Sequence, residues 1–443
     1  MKNCILIILI FIFSCKPKLK ESKPITGEMN PASVVFIGGN GLGNYADGAL
    51  NVEAQKNSVS NLLAQQLGLV GGEKLTQPLV GNQFNGFGLS SLNSTVVTAK
   101  SFLDNKVDCK GITSLSPIKP NSNATFSDLK ASVPSASYTD FSVPFAKSYQ
   151  MLLTGYGNPG NTYYNPFFER FAKNKSTSSI IDDALSTNPS FFVLQPGLHD
   201  VLQYAVNGGA SDNLTSESRF NNAIDALVNR LTSNGAKGVI INVPDVTKFP
   251  YFNTIPYNGL TLDQTKVNDL TLVYNVISNG SISFSVGANA FVAFDPSAPI
   301  GARQLKDGEM VTLGTPLDSV KCNFLGSLNP FENRMVLSLT EIAAIRTTIA
   351  AYNDKLKGVC QQKNLALVDA FTFYNSLFNG IIYNGNTINA QFVKGGAFSL
   401  DGINLNPIGN ALLTNECIKA INKQYKSRIP QLNANQYPGV VFP

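Results

Sequence analysis

The chain has 443 residues, a formal net charge of +5 and only 14% charged residues. That balance is too mild, and its lysines and arginines too scattered, for a nucleic-acid binder, which presents a basic patch. The part beyond residue 31 is long enough for a large hydrophobic core, and no apolar stretch reaches the roughly 20 residues of a membrane-spanning helix.

The first residues read "MKNCILIILIFIFSC". One lysine precedes an unbroken apolar run from Ile5 to Phe13, too short for a bilayer, so residues 1–14 read as a signal peptide. Ser14 followed by Cys15 resembles the lipobox of bacterial lipoproteins, in which that cysteine receives diacylglycerol and becomes the mature N-terminus. An ordinary signal peptide with an incidental cysteine is the plainer alternative. Residues 15–31, rich in Lys, Pro and Ser, suit a solvated tether, and their lysines suit anionic headgroups. The expected address is the bacterial cell envelope, at the outer membrane, with Cys15 as lipid anchor. Surface-display signals of related bacteria are acidic just after this cysteine, whereas this tether is basic, so the membrane face stays open. Cys109, Cys322, Cys360 and Cys417 remain, far apart and without C-x-x-C spacing, which argues against zinc. An oxidising compartment permits one or two disulfides with three pairings open; isolated buried thiols fit equally well.

Apolar runs at 33–39, 189–197, 237–245 and 365–371 read as parallel strands buried on both faces, with a weaker candidate at 136–144. Helical periodicity marks 53–69, where Val59, Leu62, Leu63 and Leu67 share a face, and 218–235, which stops at Asn234-Gly235. A capping pattern at Ser338 or Thr340 opens the longest helix, 338–364, and 406–425 closes the series. Strands separated by helices imply a three-layer α/β/α domain over residues 32–443 with a mostly parallel sheet. Two long insertions, 70–135 and 246–337, are rich in Gly, Asn, Pro and Ser, and 281–295 reads as a hairpin inside the second.

The first strand runs into "GGNGLG" (38–43). No G-x-x-x-x-G-K-[ST] is present, G-x-G-x-x-G does not fit in register, and no acidic residue ends a second strand at the usual distance, so a nucleotide cradle is not supported. "GNGLGNYADGAL" (39–50) resembles instead the G-N-S-L-T-A-G-Y-x-D-G-A-L that follows the first strand in SGNH (GDSL-type) hydrolases, in a lipoprotein branch found in Bacteroidetes. The resemblance continues through "DFSVPFAKSY", "NPSFFVLQPGLHDVLQYAVNGGAS", "NVPDVTKFPYFNTIPYN" and "GGAFSLDGINLNPIGNALLTNECIKAIN", nearly the whole mature chain. It implies the flavodoxin-like SGNH fold and an esterase or lipase ancestry. In such a site a serine attacks an ester carbonyl, a histidine takes its proton and an aspartate orients that histidine. Backbone N–H groups and an asparagine amide hold the oxyanion.

Four of five positions depart from that pattern. Gly41 stands at the nucleophile; "FSVPFA" puts Ser142 and Phe145 where glycines are usual; "GLHD" puts His199 at the oxyanion asparagine; "DGIN" keeps Asp401 but replaces the histidine base by Asn404. Asparagine has no basic nitrogen, so the inherited mechanism cannot run. The expectation is a pseudo-hydrolase without cofactor or metal that acts by binding a small acyl or ester ligand or a protein partner. The resemblance makes an outer-membrane barrel of the fatty-acid-transporter type one such partner. The alternative is a working hydrolase in which His199, the single histidine, activates a water or Ser142 with Asp401 nearby. The plainer readings make His199 a buried polar residue, Asp401 a brace for the turn before the last helix, Asp369 a strand end, and the aromatics of 154–171 packing rather than a pocket mouth.

Overall fold

In the computed structural model, which describes residues 23–131, 138–278 and 280–443, the apolar runs form one five-stranded sheet. Its strands are β1 (Val34–Gly38), β2 (Asp140–Ser142), β3 (Phe191–Gln195), β4 (Lys237–Ile241) and β5 (Ala366–Val368). Every pairing is parallel and the order is β2-β1-β3-β4-β5. β1 and β3 are buried at every position. Because successive side chains point to opposite faces, complete burial means that both faces are covered. The weak candidate at 136–144 contributes β2, although residues 136 and 137 lie outside the described residues, as do Cys15 and the end of the 70–135 segment.

The helices that matter are α1 (Val59–Gly68), α2 (Leu198–Val206), α3 (Glu217–Thr232), α4 (Gln264–Ile277), α5 (Leu339–Lys363), α6 (Ala370–Asn379) and α7 (Pro407–Tyr425). Parallel crossovers are right-handed, which sends the β1-to-β2 connection to one face and the later ones to the other. Accordingly α1 packs against α7, and α3 against α5. Phe220 of α3 stacks on Tyr352 of α5 at 3.7 Å between ring centres. Tyr425, the last residue of α7, donates its hydroxyl to the Gly238 carbonyl at 2.6 Å and accepts from the Gly238 N–H at 3.1 Å, pinning that helix to β4.

Local chemistry sets the ends. Ser338 and Glu341 close a capping box on α5, and Asn364 leaves it in the left-handed conformation. The periodic stretch 53–69 is not one helix: Ser58 accepts from the Asn61 N–H at 3.2 Å and caps α1, leaving Val52–Lys56 as a separate turn. A serine bonding the backbone in this way competes with helix continuation. Asp369 caps α6 through the Thr372 N–H at 3.1 Å.

Residues 255–336 hold a second hydrophobic cluster, in which the Phe291 and Phe331 rings lie 4.8 Å apart. The expected hairpin at 281–295 does not form. Gly287–Asn289 pairs back to Leu260–Leu262, and Val292–Phe294 pairs forward to Ala302–Gln304. The alternation was legible, but the partners lie outside the window. In the earlier segment, Phe102–Val107 pairs with Thr113–Ile118. Of the three disulfide pairings left open, the structure contains Cys109–Cys322, which joins that hairpin to the second cluster and is flanked by Lys106–Asp318 and Lys321–Asp108 ion pairs, each 2.8 Å. Exposed ion pairs add little, so the covalent link dominates. Cys360 and Cys417 are buried thiols that burial pushes upward, Cys360 to about 12. Among the described residues no helix is long and apolar enough to cross a membrane.

The disulfide closes a sequence separation of 213 residues. Replacing Cys109 and Cys322 by serine is expected to cost about 2–5 kcal/mol, seen as a lower urea midpoint. An unchanged midpoint would show that the hairpin holds its place without the bond.

Candidate functional site

Gly38, the end of β1, lies in register with Gln195, the end of β3. From β1 the chain crosses to β2 on one side, while β3 flanks the other. Such a reversal opens a crevice outside the carboxyl ends of the strands, where open α/β sheets hold their ligands. Past β1 the backbone tightens into the short helical turn Asn40–Leu42, closed by the Gly43 N–H on the Asn40 carbonyl at 2.8 Å. Gly43 itself has φ +82°, which favours glycine.

Gly41 sits inside this turn. A Cβ placed on it would lie 2.5 Å from Oε1 and 2.7 Å from Nε2 of Gln195. Those separations are far below van der Waals contact, so the Gln195 amide occupies the space where a side chain at position 41 would begin. Gln195 is buried, 2% exposed, and its Oε1 has no hydrogen-bond partner among the described residues. Sequence reasoning missed this residue. The available signal was a single polar side chain closing the otherwise apolar strand "FFVLQ".

His199 belongs to the first turn of α2, which starts after Gly197 at φ +89°. It is buried, with Cδ2 3.3 Å from where a Cβ on Gly39 would stand, so the structure does bring it to the glycine turn. Its ring meets Phe145 edge-on at 5.4 Å between centres. Neither ring nitrogen has a partner among the described residues. Burial first, and the Lys147 charge second, push the imidazole down to about 3, so it is neutral at physiological pH. Asp200 does not assist it. That carboxylate accepts from the Ser148 N–H at 2.8 Å and the Ser148 hydroxyl at 2.7 Å, fastening α2 to the turn at 148–152.

Ser142 is committed elsewhere. Its hydroxyl donates to Asp140, whose Oδ1 also accepts the Ser142 N–H at 3.0 Å and whose Oδ2 accepts from Gln77 at 2.9 Å. Ser60 of α1 lies 3.3 Å from the same hydroxyl. Burial raises the Asp140 carboxyl. Phe145 has φ +66°, a left-handed conformation that costs about 1–2 kcal/mol for a side chain. Its N–H donates to Asn40 Oδ1 at 3.0 Å, and its ring packs on Tyr45 at 5.2 Å and Phe167 at 5.7 Å. The aromatics of 154–171 are therefore divided: Phe167 touches this cluster, while Tyr156 and Phe168 pack against each other in the core.

Asp401 acts as a brace. Its Oδ1 accepts from the Ile403 and Asn404 N–H groups at 2.9 and 2.8 Å; its Oδ2 accepts from the Asn404 amide at 2.8 Å and the Gly48 N–H at 3.1 Å. The pair thus ties the loop before α7 to the small hairpin Tyr45–Ala46/Ala49–Leu50. Asn404 supplies the hydrogen bond to Asp401 without supplying a base. The structure gathers Gly39, Gly41, Phe145, Gln195 and His199 into one cluster, and keeps Ser142 and the Asp401–Asn404 pair in separate networks. Asn44 belongs with Ser142: its Nδ2 donates to the Ser142 carbonyl at 2.7 Å, while its Oδ1 has no partner among the described residues. No protein-family model and no curated protein matches this chain.

Gly41→Ser is expected to cost about 1–3 kcal/mol by overpacking against Gln195. In a Gln195→Ala background that cost should fall below about 0.5 kcal/mol; equal costs in both backgrounds by urea unfolding would exclude the clash. The unfolded chain protonates His199 near pH 6.5, well above the folded chain. The stability that depends on a neutral His199 is therefore intact above pH 6.5 and lost as pH falls toward about 3, by at most about 1.4 kcal/mol per pH unit. His199→Phe should lose less stability than the natural chain between pH 7 and pH 4.5. Parallel pH profiles would contradict the assignment.

Proposed function

We propose that this chain is a lipid-anchored cell-envelope protein of SGNH-hydrolase ancestry that works by binding rather than by ester hydrolysis. The observation that carries the reading is the Gln195 amide in the space above Gly41, at the station where the resemblance puts a nucleophile. Two further features support it. His199 has no hydroxyl or carboxylate bonded to it, so the nucleophile–base contact that a hydrolase requires is absent among the described residues. Ser142, the substitute nucleophile that the sequence offers to His199, spends its hydroxyl on Asp140. The strand order β2-β1-β3-β4-β5 is the flavodoxin-like one and agrees with the ancestry, with residues 70–135 and 246–337 as insertions.

The hydrogen-bonding atoms left over at the crevice fit a small ligand. A neutral imidazole offers one donor and one acceptor, and Gln195 Oε1 accepts. Three of the seven buried unpartnered side-chain atoms among the described residues belong to these two side chains. Buried polar groups in native proteins are satisfied with few exceptions, so this concentration favours a bound polar guest over a dry, purely structural junction. Anchoring at Cys15 would hold that guest, or a partner such as a membrane barrel, at the envelope.

The test is turnover of short- and long-chain p-nitrophenyl esters by the soluble chain carrying Cys15→Ser. The expected rate equals that of buffer and does not change in His199→Ala. Ester turnover that disappears in His199→Ala would replace this proposal by an active hydrolase with a non-standard site.

A further inference from the structure

A cleft of about 400 Å³ opens beside the hairpin at 45–50, walled by residues 100–103, the loop 399–407 and residues 438–441. Most of its surface is apolar, from Ala54, Leu103, Leu400, Pro407, Val440 and Val441. That volume lies in the range of small-molecule sites, which combine apolar walls with a few fixed polar groups. The rim is apolar as well: Phe102 is 41% exposed and Val441 75% exposed. Asn51, Glu53, Lys100, Ser399 and Asn406 add polar groups to the wall, and Asp47 is the carboxylate there that no ammonium or guanidinium pairs among the described residues.

Asp47 projects from the hairpin with φ +56°, held there from both ends. Its N–H donates to the Ser399 hydroxyl at 3.0 Å, and its Oδ1 accepts from the Leu400 N–H at 2.9 Å. Its Oδ2 accepts no hydrogen bond among the described residues, and no lysine or arginine forms an ion pair with it. The charged groups facing it come from every neighbouring element. Asp401 stands in the loop before α7, Glu53 in the turn Val52–Lys56, and Lys100 is already paired to Glu53. Lys119 stands over Gly48, where a Cβ would lie 3.2 Å from its Nζ. Around Asp47 itself the balance is three carboxylates against the single ammonium of Lys100.

We propose that this cleft binds small amphipathic amines, with the ammonium on Asp47 Oδ2 and the apolar body against Leu103, Leu400 and Val440. An alkylammonium supplies what the site lacks, a mobile cation and a chain that covers exposed apolar surface. An alkanoate would meet a carboxylate of the same sign, and an alcohol would gain the apolar contact without the charge pairing. The site is separate from the crevice at Gly41, and the proposal stands independently of how that crevice is read. Burial, with Asp401 and Glu53 adding to it against the Leu400 N–H and Lys100, raises the Asp47 carboxyl to about 6. Amine binding is therefore strong above pH 6 and weakens as Asp47 takes up its proton below it, while the amine stays charged throughout.

Isothermal titration of the Cys15→Ser chain with octylammonium, octanol and octanoate tests this. At pH 7.5 octylammonium is expected to bind at least tenfold more tightly than octanol, and octanoate more weakly than either. Asp47→Asn keeps the acceptor for the Leu400 N–H, so the fold is retained while the amine preference drops to the octanol level. Lowering the pH from 7.5 to 5 should weaken octylammonium about tenfold and leave octanol unchanged. Val441→Arg, at an exposed position, should also weaken the amine, and it keeps the test open if Asp47→Asn fails to fold. Equal binding of octylammonium and octanol, preference for octanoate, or an undiminished amine affinity in either variant would overturn the proposal.

Discussion

One contact governs the rest: the side-chain amide of Gln195 lies over the bare backbone of Gly41. A glycine in that turn lets the glutamine fold inward, and the inward glutamine in turn requires the glycine. A Cβ at 41 and the amide of 195 claim the same volume, so a side chain at 41 requires the buried glutamine to move. Such a pair is self-locking. A hydroxyl introduced at position 41 alone would meet a filled site rather than an empty one.

The surroundings have been settled to suit a neutral, uncharged junction. His199 is buried beside Lys147, and both influences disfavour its protonated form. Asp200 and Asp140, the carboxylates nearest in sequence to His199 and Ser142, are consumed otherwise: Asp200 fastens α2 to the turn at 148–152 through Ser148, and Asp140 bonds Ser142 within its own strand. Asp401 and Asn404 likewise hold the loop before α7 against the 45–50 hairpin. These side chains carry hydrogen bonds that fix loops. A brace needs only a donor and an acceptor, whereas a proton relay also needs matched basicity and alignment.

Much of the architecture was written in short-range pattern. Buried strands with continuous apolar runs announced β1, β3, β4 and β5, the capping pattern at Ser338 or Thr340 placed the start of α5, and the window 406–425 matches α7 almost to the residue. What failed was long-range pairing. The alternation at 281–295 gave two real strands, but their partners at 260–262 and 302–304 follow from how the second cluster closes, which no local window contains. The disulfide was open for the same reason, since Cys109 and Cys322 meet only after two distant segments dock. The site was legible by position: Gly41 and His199 do converge on the glycine turn, while Ser142 and the Asp401–Asn404 pair do not join them. Gln195 was invisible because its role depends on register, facing Gly38 across the β1–β3 pair, and on an empty Cα at Gly41, three residues past the start of the turn-forming glycines. A polar residue ending an apolar strand was the only trace of it.

The account stands most exposed to intact-mass spectrometry of the soluble chain after prolonged incubation with a fluorophosphonate, a reagent that bonds only to an activated nucleophile. An unmodified mass is the predicted result, because the Gln195 amide fills the space over Gly41 and no hydroxyl among the described residues is bonded to the His199 imidazole. A stoichiometric adduct that vanishes in His199→Ala would contradict it.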